Sequence, residues 1–271
     1  MVSDAADRGR FVSRSAARDG VVVVTLQRPD RRNAVGPALA AHLEAILGRL
    51  SEDRRVRAVV LMGSGPSFCA GADMKERLLG PEASASVFAA VRRASAAVHA
   101  VAVPVVAAVH GHAIGAGLEL AAMCDYRVVE AGTVLGLPEV AQGIVSGGGL
   151  VALASLMGRG ALAKLAFSAA ALDGAAALRL GLADEVVPDG TARDAARAVA
   201  VQIAEHPREA LVATKRALRM ATEPLFAQQW ASLGLLQETL EGGPAQHAAL
   251  ARRAGPATGP ATGPAARRGA S

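Results

Sequence analysis

The chain has 271 residues, of which 52% are hydrophobic but only 3% aromatic, so we expect one sizeable domain with a core of Ala, Val and Leu side chains. The formal net charge is +5, and most of it comes from four arginines near the C-terminus: Arg252, Arg253, Arg267 and Arg268. Because the remainder is nearly neutral, nucleic-acid binding is a minority interpretation.

The cysteines and the apolar stretches limit the compartment and the class of protein. Cys69 and Cys124 lie far apart without metal-ligand spacing, which favours a reduced, cytoplasmic protein over a disulfide-linked one. The first residues lack the apolar core of a signal peptide. The longest apolar stretch, 98–124, is interrupted by Pro104 and Glu119, so it predicts buried elements and not a membrane span.

The first elements alternate between strand and helix. The β-branched run Val21–Leu26 predicts a strand that ends at the turn 28–30. Apolar residues at helical spacing predict a helix over 37–50, with Pro37 near its start. A second buried strand, predicted over 57–62, runs directly into a glycine-rich loop.

The alternation continues through the middle of the chain. We expect a helix over about 84–100, a strand over Val105–Val109, a turn over 111–115, a helix over 116–123 and a strand over 126–129. Strands alternating with helices are typical of an α/β fold with mostly parallel pairing.

The sequence after Gly149 is predominantly helical. Apolar residues recur at helical spacing over 150–157, 162–167, 192–203, 207–220 and 224–240. The last stretch, 254–271, repeats Gly-Pro-Ala-Thr and has little apolar surface, so a disordered tail is expected.

Two glycine-rich segments, 67–76 and 111–120, each carry a carboxylate near their end. A third carboxylate, Glu139, follows Pro138 about one strand later. Turns made of small residues can each direct a backbone N–H at a carbonyl oxygen, and two nearby glutamates can then move protons on the adjacent carbons. Glu119 lies in an otherwise apolar helix, where a carboxylate is costly without a partner or a role.

These segments resemble those of the crotonase, or enoyl-CoA hydratase/isomerase, family. Segment 68–76 matches the family's first oxyanion loop, and 111–120 followed by Cys124-Asp125 matches its second. Segment 28–34 resembles the first CoA-binding turn, and 173–187 resembles a later helix and strand. The likeness covers about residues 18–240.

The resemblance implies an architecture and a substrate class. It implies an α/β spiral of repeated β-β-α units over 1–200, followed by a C-terminal helical trimerisation region over 201–253. It also implies an acyl-CoA substrate and a homotrimer or homohexamer. No metal or redox cofactor is expected, since coenzyme A belongs to the substrate.

The resemblance also assigns roles to residues. The backbone N–H groups of Ala72 and Ala116 would bind the thioester oxygen, Glu119 and Glu139 would be catalytic, and Gly147 would position the water. CoA or substrate contacts are expected from Arg31, Arg32, Ala34, Ala70, Asp73, Met74 and Lys75.

Hydration of a 2-enoyl-CoA to a 3-hydroxyacyl-CoA is the activity that the two glutamates favour, because family isomerases often keep only the later one. Two like charges around one water predict that at least one of the two pKa values is raised. The alternatives are a 3-enoyl-CoA to 2-enoyl-CoA isomerase and a catalytically inactive relative that binds acyl-CoA or RNA. Acyl chain length and branching stay open.

The segment 143–153 departs from the family. Ser146 stands where the family usually has proline, and an apolar run, 150–153, replaces a polar Thr-Gln-Arg run. This departure leaves the subunit contacts and the substrate open. Cys69, beside the first loop, is interpreted as a small buried residue, with a nucleophile as the alternative.

Overall fold

The computed structural model describes residues 7–8, 10–220 and 223–254. The strands are β1 (Asp7–Arg8), β2 (Val12–Arg14), β3 (Val21–Leu26), β4 (Ala58–Gly63), β5 (Val105–Val109), β6 (His112–Ile114), β7 (Tyr126–Glu130), β8 (Val134–Gly136), β9 (Ala171–Leu172) and β10 (Glu185–Val187). The helices are α1 (Pro37–Glu52), α2 (Met74–Arg77), α3 (Pro81–Ala100), α4 (Ala116–Ala122), α5 (Gly148–Leu156), α6 (Arg159–Ser168), α7 (Gly174–Arg179), α8 (Ala192–Ala204), α9 (Arg208–Met220), α10 (Glu223–Leu240) and α11 (Pro244–Ala254). Short 3₁₀ turns lie at Pro29–Arg31 and Val140–Gln142.

The larger sheet has seven strands in the order β1-β2-β3-β4-β5-β7-β10. The pairs from β3 to β10 are parallel, and β1 and β2 add an antiparallel edge. The predicted α/β class with mostly parallel pairing is therefore confirmed. Strands β3 and β4 read as continuous apolar runs because both faces of this sheet are covered.

The two faces of the sheet carry separate cores. Val22 and Val24 of β3 belong to the core shared with α1 and α3, whereas Val21 and Val23 belong to the core shared with α8. Helix α8 faces the sheet with alanines at every fourth position: Ala192, Ala196, Ala200 and Ala204. Such small side chains allow close approach, which explains how a core with few aromatic residues is filled.

The smaller sheet, in the order β6-β8-β9, corrects the sequence interpretation. The segment 111–115 is predicted to be a turn, but His112–Ile114 forms β6. Its strands have only two or three residues, too few to produce the alternation that identifies a strand. The parallel pairing of β6 with β8 places Ile114 opposite Gly136, so the ends of both strands lead into one region.

The C-terminal part is helical, as the sequence predicts. Helix α11 packs on the 3₁₀ turn Val140–Gln142, and α10 packs on α5. The predicted disordered tail begins at the last residue of α11, and its remainder, 255–271, lies outside the described residues. No helix within the described ranges is both long enough and apolar enough to cross a membrane.

Candidate active site

The first glycine-rich loop follows β4 and is held in place by Asn33. The Asn33 side-chain amide donates hydrogen bonds to the carbonyls of Ser64 (2.9 Å) and Ser67 (2.7 Å). Asn33 is buried and has a positive φ of 58°, which asparagine tolerates better than most residues. Sequence reasoning did not single it out, although an asparagine within a turn is the available signal.

The first loop also pairs with the turn that precedes α1. The Val35 amide donates to the Gly71 carbonyl at 2.8 Å, and the Asp73 amide donates to the Val35 carbonyl at 2.8 Å. This bridge leaves the N–H of Ala72, the residue between them, directed away from Val35. Among the described residues, no group accepts a hydrogen bond from the Ala72 amide.

The second loop lies against the first. The Ile114 amide donates to the Cys69 carbonyl at 3.1 Å, and the Cys69 amide donates to the His112 carbonyl at 3.0 Å. Gly117, in the first turn of α4, is so close that an added β-carbon would overlap the Cys69 carbonyl oxygen. The two loops are therefore joined through backbone atoms.

The Ala116 amide is the first of α4 and, like all N-terminal helix amides, lacks an intrahelical acceptor. Gly115, before it, has a positive φ of 54° and donates instead to the Gly136 carbonyl. A β-carbon on Gly71 would lie 3.7 Å from the Ala116 nitrogen, which places the two loops side by side. Ala72 and Ala116 thus offer two backbone donors beside one cavity.

Glu119 is held on α4 by neighbouring donors. It is 4% exposed, and its Oε1 accepts a hydrogen bond from the Ser146 hydroxyl at 2.8 Å. Burial raises the pKa of Glu119, while the hydrogen bonds from Ser146 and the Gly149 N–H act in the opposite direction. A β-carbon on Gly149 would overlap the Glu119 side chain, so only glycine fits there.

Glu139 has fewer partners than Glu119. It lies between Pro138 and the 3₁₀ turn Val140–Gln142, and its buried Oε2 atom accepts no hydrogen bond from the described residues. Burial, followed by the nearby charge of Glu119, raises the pKa of Glu139 to about 8. The expectation of a raised pKa is confirmed, but burial contributes more than the like charge does.

The two glutamates and the two backbone donors share a cavity of about 60 Å³. Six of the predicted site residues line it: Ala70, Ala72, Met74, Ala116, Glu119 and Glu139. It is also lined by residues that sequence reasoning did not assign to the site, among them Arg77, Phe88 and Gln142.

Arg77 is a buried cation in the wall of this cavity. It is 6% exposed and forms an ion pair with Glu241, which lies in the turn between α10 and α11. Ser84 also donates to Glu241. The C-terminal helices therefore help to complete the wall, through a pair of residues that no local motif connects.

The remaining predicted contacts lie outside the cavity lining. Asp73 caps α2 and pairs with Arg28 at 2.7 Å; burial opposes ionisation of its carboxyl, but these bonds lower its pKa. Arg32 and Lys75 are exposed, Arg31 is half-buried and Ala34 is buried. The Ala70 amide donates to the Arg32 carbonyl at 2.9 Å, which places this turn against the first loop.

Gly147 and the two cysteines, all singled out by the sequence, are not part of the cavity lining. Gly147 precedes α5 next to Ser146 but does not line the cavity. Cys69 and Cys124 are buried free thiols, and burial raises the pKa of Cys69 to about 12, which disfavours a nucleophilic thiolate. The described part of the chain holds no group of three or more His, Cys, Asp or Glu side chains arranged for a metal ion.

The chain is similar to known proteins in both sequence and fold. The family model "Enoyl-CoA hydratase/isomerase" matches residues 16–245. The human protein "Enoyl-CoA hydratase domain-containing protein 2, mitochondrial" is 37% identical over 226 residues, which cover 80% of this chain and 76% of the human one.

Solved structures agree with this match. An enoyl-CoA hydratase/isomerase from Mycobacterium paratuberculosis superposes with a TM-score of 0.81 at 27% identity, covering 90% of this chain and 98% of that one. An enoyl-CoA hydratase from Bacillus anthracis gives a TM-score of 0.75 at 31% identity, covering 82% and 90%. The crotonase fold expected from the sequence motifs is thereby confirmed.

Proposed function

The chain belongs to the enoyl-CoA hydratase/isomerase family, and we propose that it adds water to the double bond of a 2-enoyl-CoA to give a 3-hydroxyacyl-CoA. The observation that supports this reaction is the presence of two glutamates, Glu119 and Glu139, on the same cavity as two backbone donors. A hydratase needs one group for the water proton and one for the α-carbon proton, and this cavity offers both.

The backbone amides of Ala72 and Ala116 would bind the thioester oxygen. As water adds to the β-carbon, negative charge develops on that oxygen as an enolate. Fixed donors that are already oriented stabilise this charge without reorganising, and loss of one such donor typically costs about 10²–10³ in rate.

The environments of the two glutamates suggest which one acts as base and which as acid. Burial raises the pKa of Glu119, but the hydrogen bonds from Ser146 and Gly149 favour its carboxylate form, and we assign it as the group that takes the proton from water. Glu139, with a pKa of about 8, would be protonated at neutral pH and would donate its proton to the α-carbon. One proton then has to pass from Glu119 to Glu139 before the next turnover.

These assignments predict a pH dependence. Because Glu139 must be protonated and its pKa is raised to about 8, the hydration rate should fall as the pH rises through that value. The measurement is kcat/KM against pH, followed by the loss of enoyl-thioester absorbance. A rate that stays level to about one pH unit above 8 would contradict an acid role for Glu139.

The size of the cavity bears on acyl chain length. Phe88 of α3 lines both the cavity of about 60 Å³ and a neighbouring one of about 430 Å³, which extends toward Glu238 and Glu241. We propose that Phe88 limits the acyl group to a short one. The larger cavity, between α3 and the end of α10, would be reached only if that ring were absent.

Phe88→Ala is therefore expected to raise kcat/KM for an eight-carbon enoyl-CoA relative to a four-carbon one by about 10-fold or more, because even one additional methylene contact is worth roughly 1–3 kcal/mol. Kinetics with both substrates measure this ratio. The matched control is Phe167→Ala, which truncates a phenylalanine that is 79% exposed on α6 and should leave the ratio unchanged. An unchanged ratio in Phe88→Ala would show that the two cavities do not form one acyl site.

An isomerase is the second candidate function. Glu139 has a carboxylate oxygen without a partner and a raised pKa, so it could move a proton between two carbons without help from Glu119. Such a reaction would convert a 3-enoyl-CoA to the 2-enoyl form. The two activities are separated by the Glu119 variant described in the Discussion.

We also propose a homotrimer or homohexamer in the cytoplasm. Large apolar side chains are exposed on the C-terminal helices, which is typical of surfaces covered in an assembly: Leu218 (68%), Met220 (69%), Leu235 (65%) and Leu236 (56%). The human relative is named as mitochondrial, so the location of this chain stays a prediction.

A further inference from the structure

Among the described residues, the side-chain hydrogen-bond partner of Ser146 is Glu119. Its hydroxyl lies 2.8 Å from Glu119 Oε1, and both residues are 4% exposed. We propose that Ser146 is a positioning residue that keeps Glu119 ionised and correctly oriented as the base. This inference rests on the proposed function, and it concerns the position where the family usually has proline.

The direction of the hydrogen bond is fixed by chemistry. In the structure the Ser146 hydroxyl donates to Glu119 Oε1, and an ionised carboxylate can only accept. Donation to the charged form favours that form and lowers the pKa, and hydrogen bonds to ionised groups are about twice as strong as neutral ones. Proline has no side-chain donor, so it could not supply this interaction.

Of the described side chains, only Ser146 offsets the burial of Glu119 by donating a hydrogen bond to it. Among the described residues that line the cavity, the other titratable side chains are Glu139 and Arg77. Glu139 repels a charge on Glu119, and Arg77 is paired with Glu241. Helix α5 contains no titratable side chain, and the His112 ring of β6 lies 3.1 Å from Ser67 instead.

Helix α3 contributes only apolar side chains here. Phe88 and Val91 are its residues on the cavity lining. The described donors that offset the burial of Glu119 are therefore the Ser146 hydroxyl and the Gly149 N–H. Because the backbone donor is present whatever residue stands at 146, a substitution there tests the hydroxyl alone.

Loss of the hydroxyl should weaken the base without weakening substrate binding. Ser146→Ala is expected to lower kcat by about 10-fold to 100-fold, the range that corresponds to a hydrogen bond to a charged group. The acidic limb of the pH profile should move upward by about one unit or more, because the carboxylate form of Glu119 becomes harder to keep. KM should change by less than about twofold, since Ser146 does not line the cavity.

The experiment is a set of kcat and KM profiles against pH with a four-carbon 2-enoyl-CoA for the full chain. It compares the unaltered protein with Ser146→Ala, Ser146→Thr and Ser146→Cys. Threonine keeps the hydroxyl and should restore the acidic limb, while the weaker thiol donor of cysteine should give an intermediate position. The matched control is Ser155→Ala. This change removes a hydroxyl of α5 that donates to the Ala152 carbonyl at 2.6 Å and not to Glu119.

Two outcomes would overturn the inference. One is an acidic limb in Ser146→Ala that coincides with that of the unaltered protein. The other is a threonine variant that behaves like the alanine variant, which would indicate a packing role only. Circular dichroism melting shows which variants are folded. If the alanine variant is not folded, the pH profile of the cysteine variant is used to test the inference.

A second readout separates this inference from the proposed reaction. A carbon-13 NMR titration of glutamate carboxyls, with the Glu119 signal assigned through Glu119→Gln, follows the ionisation of Glu119 without turnover. An upward shift in Ser146→Ala supports the inference even if the protein hydrates no enoyl-CoA. No shift, in a protein that does hydrate the substrate, refutes the inference and leaves the reaction standing.

Discussion

Replacing Glu139 with glutamine is expected to lower kcat for hydration of a four-carbon 2-enoyl-CoA by about 10²–10⁴-fold. Glutamine has nearly the same shape as glutamate, but it has no proton to give to the α-carbon at any working pH. The oxyanion donors stay in place, so KM should change little. Loss of the enoyl-thioester absorbance measures the rate.

The fold should survive this change and even gain stability. The carboxyl of Glu139 holds its proton up to about pH 8 when folded but only to about 4.5 when unfolded, so the folded state becomes less stable as the pH rises between these values. Glutamine removes that dependence. The melting temperature of Glu139→Gln should therefore exceed that of the unaltered protein by more at pH 8 than at pH 5. The same measurement shows that the variant is folded, so that a loss of activity is not caused by unfolding.

Two further variants complete this test. Glu119→Gln should reduce hydration by a similar factor if the protein is a hydratase, whereas an isomerase should tolerate it far better when converting a 3-enoyl-CoA. Glu82→Gln, on the exposed first turn of α3, is the control and should change neither activity. Full hydration by both glutamate variants would mean that the carboxylates do not move the protons.

Gly117→Ala is expected to destabilise the protein by about 1–3 kcal/mol and to reduce the hydration rate by about 100-fold or more. Alanine normally stabilises a helix relative to glycine by about 0.5–1 kcal/mol. Here the added β-carbon would overlap the Cys69 carbonyl oxygen, which belongs to backbone and cannot rotate away. The two loops would have to separate, and the amides of Ala72 and Ala116 would no longer converge.

Gly48→Ala provides the matched control. Gly48 is exposed within α1, and an added β-carbon would meet nothing within 4 Å, so this variant should be slightly more stable and fully active. Urea unfolding curves and kcat measure both variants. A Gly117→Ala protein as stable and as active as the control would mean that the contact between the two loops can relax at no cost.

Local sequence patterns were sufficient for the main elements and for the site motifs. The bounds of β3 and β5 coincide with the predicted strands, since each is a run of five or six mostly apolar residues flanked by turn residues. Glu119 and Glu139 stand out because a charged residue in an apolar setting is conspicuous in a sequence.

The rest depends on contacts between residues far apart in the chain. The hydroxyl of Ser146 meets a carboxylate 27 positions earlier, and Asn33 supports a loop 31 to 34 positions later. Neither pairing leaves a periodic signal. The strand β6 was missed because three residues are too few to show alternation, yet its pairing with β8 is what brings Glu139 next to the second loop.

The ion pair between Arg77 and Glu241 has a consequence for how the protein is made. Its two members are 164 positions apart, so the guanidinium emerges from the ribosome long before its partner does. A nascent or truncated chain that ends before residue 241 would have to bury an uncompensated positive charge or leave that wall open. In such a chain, we expect the wall of the candidate active-site cavity to form only once residue 241 is present.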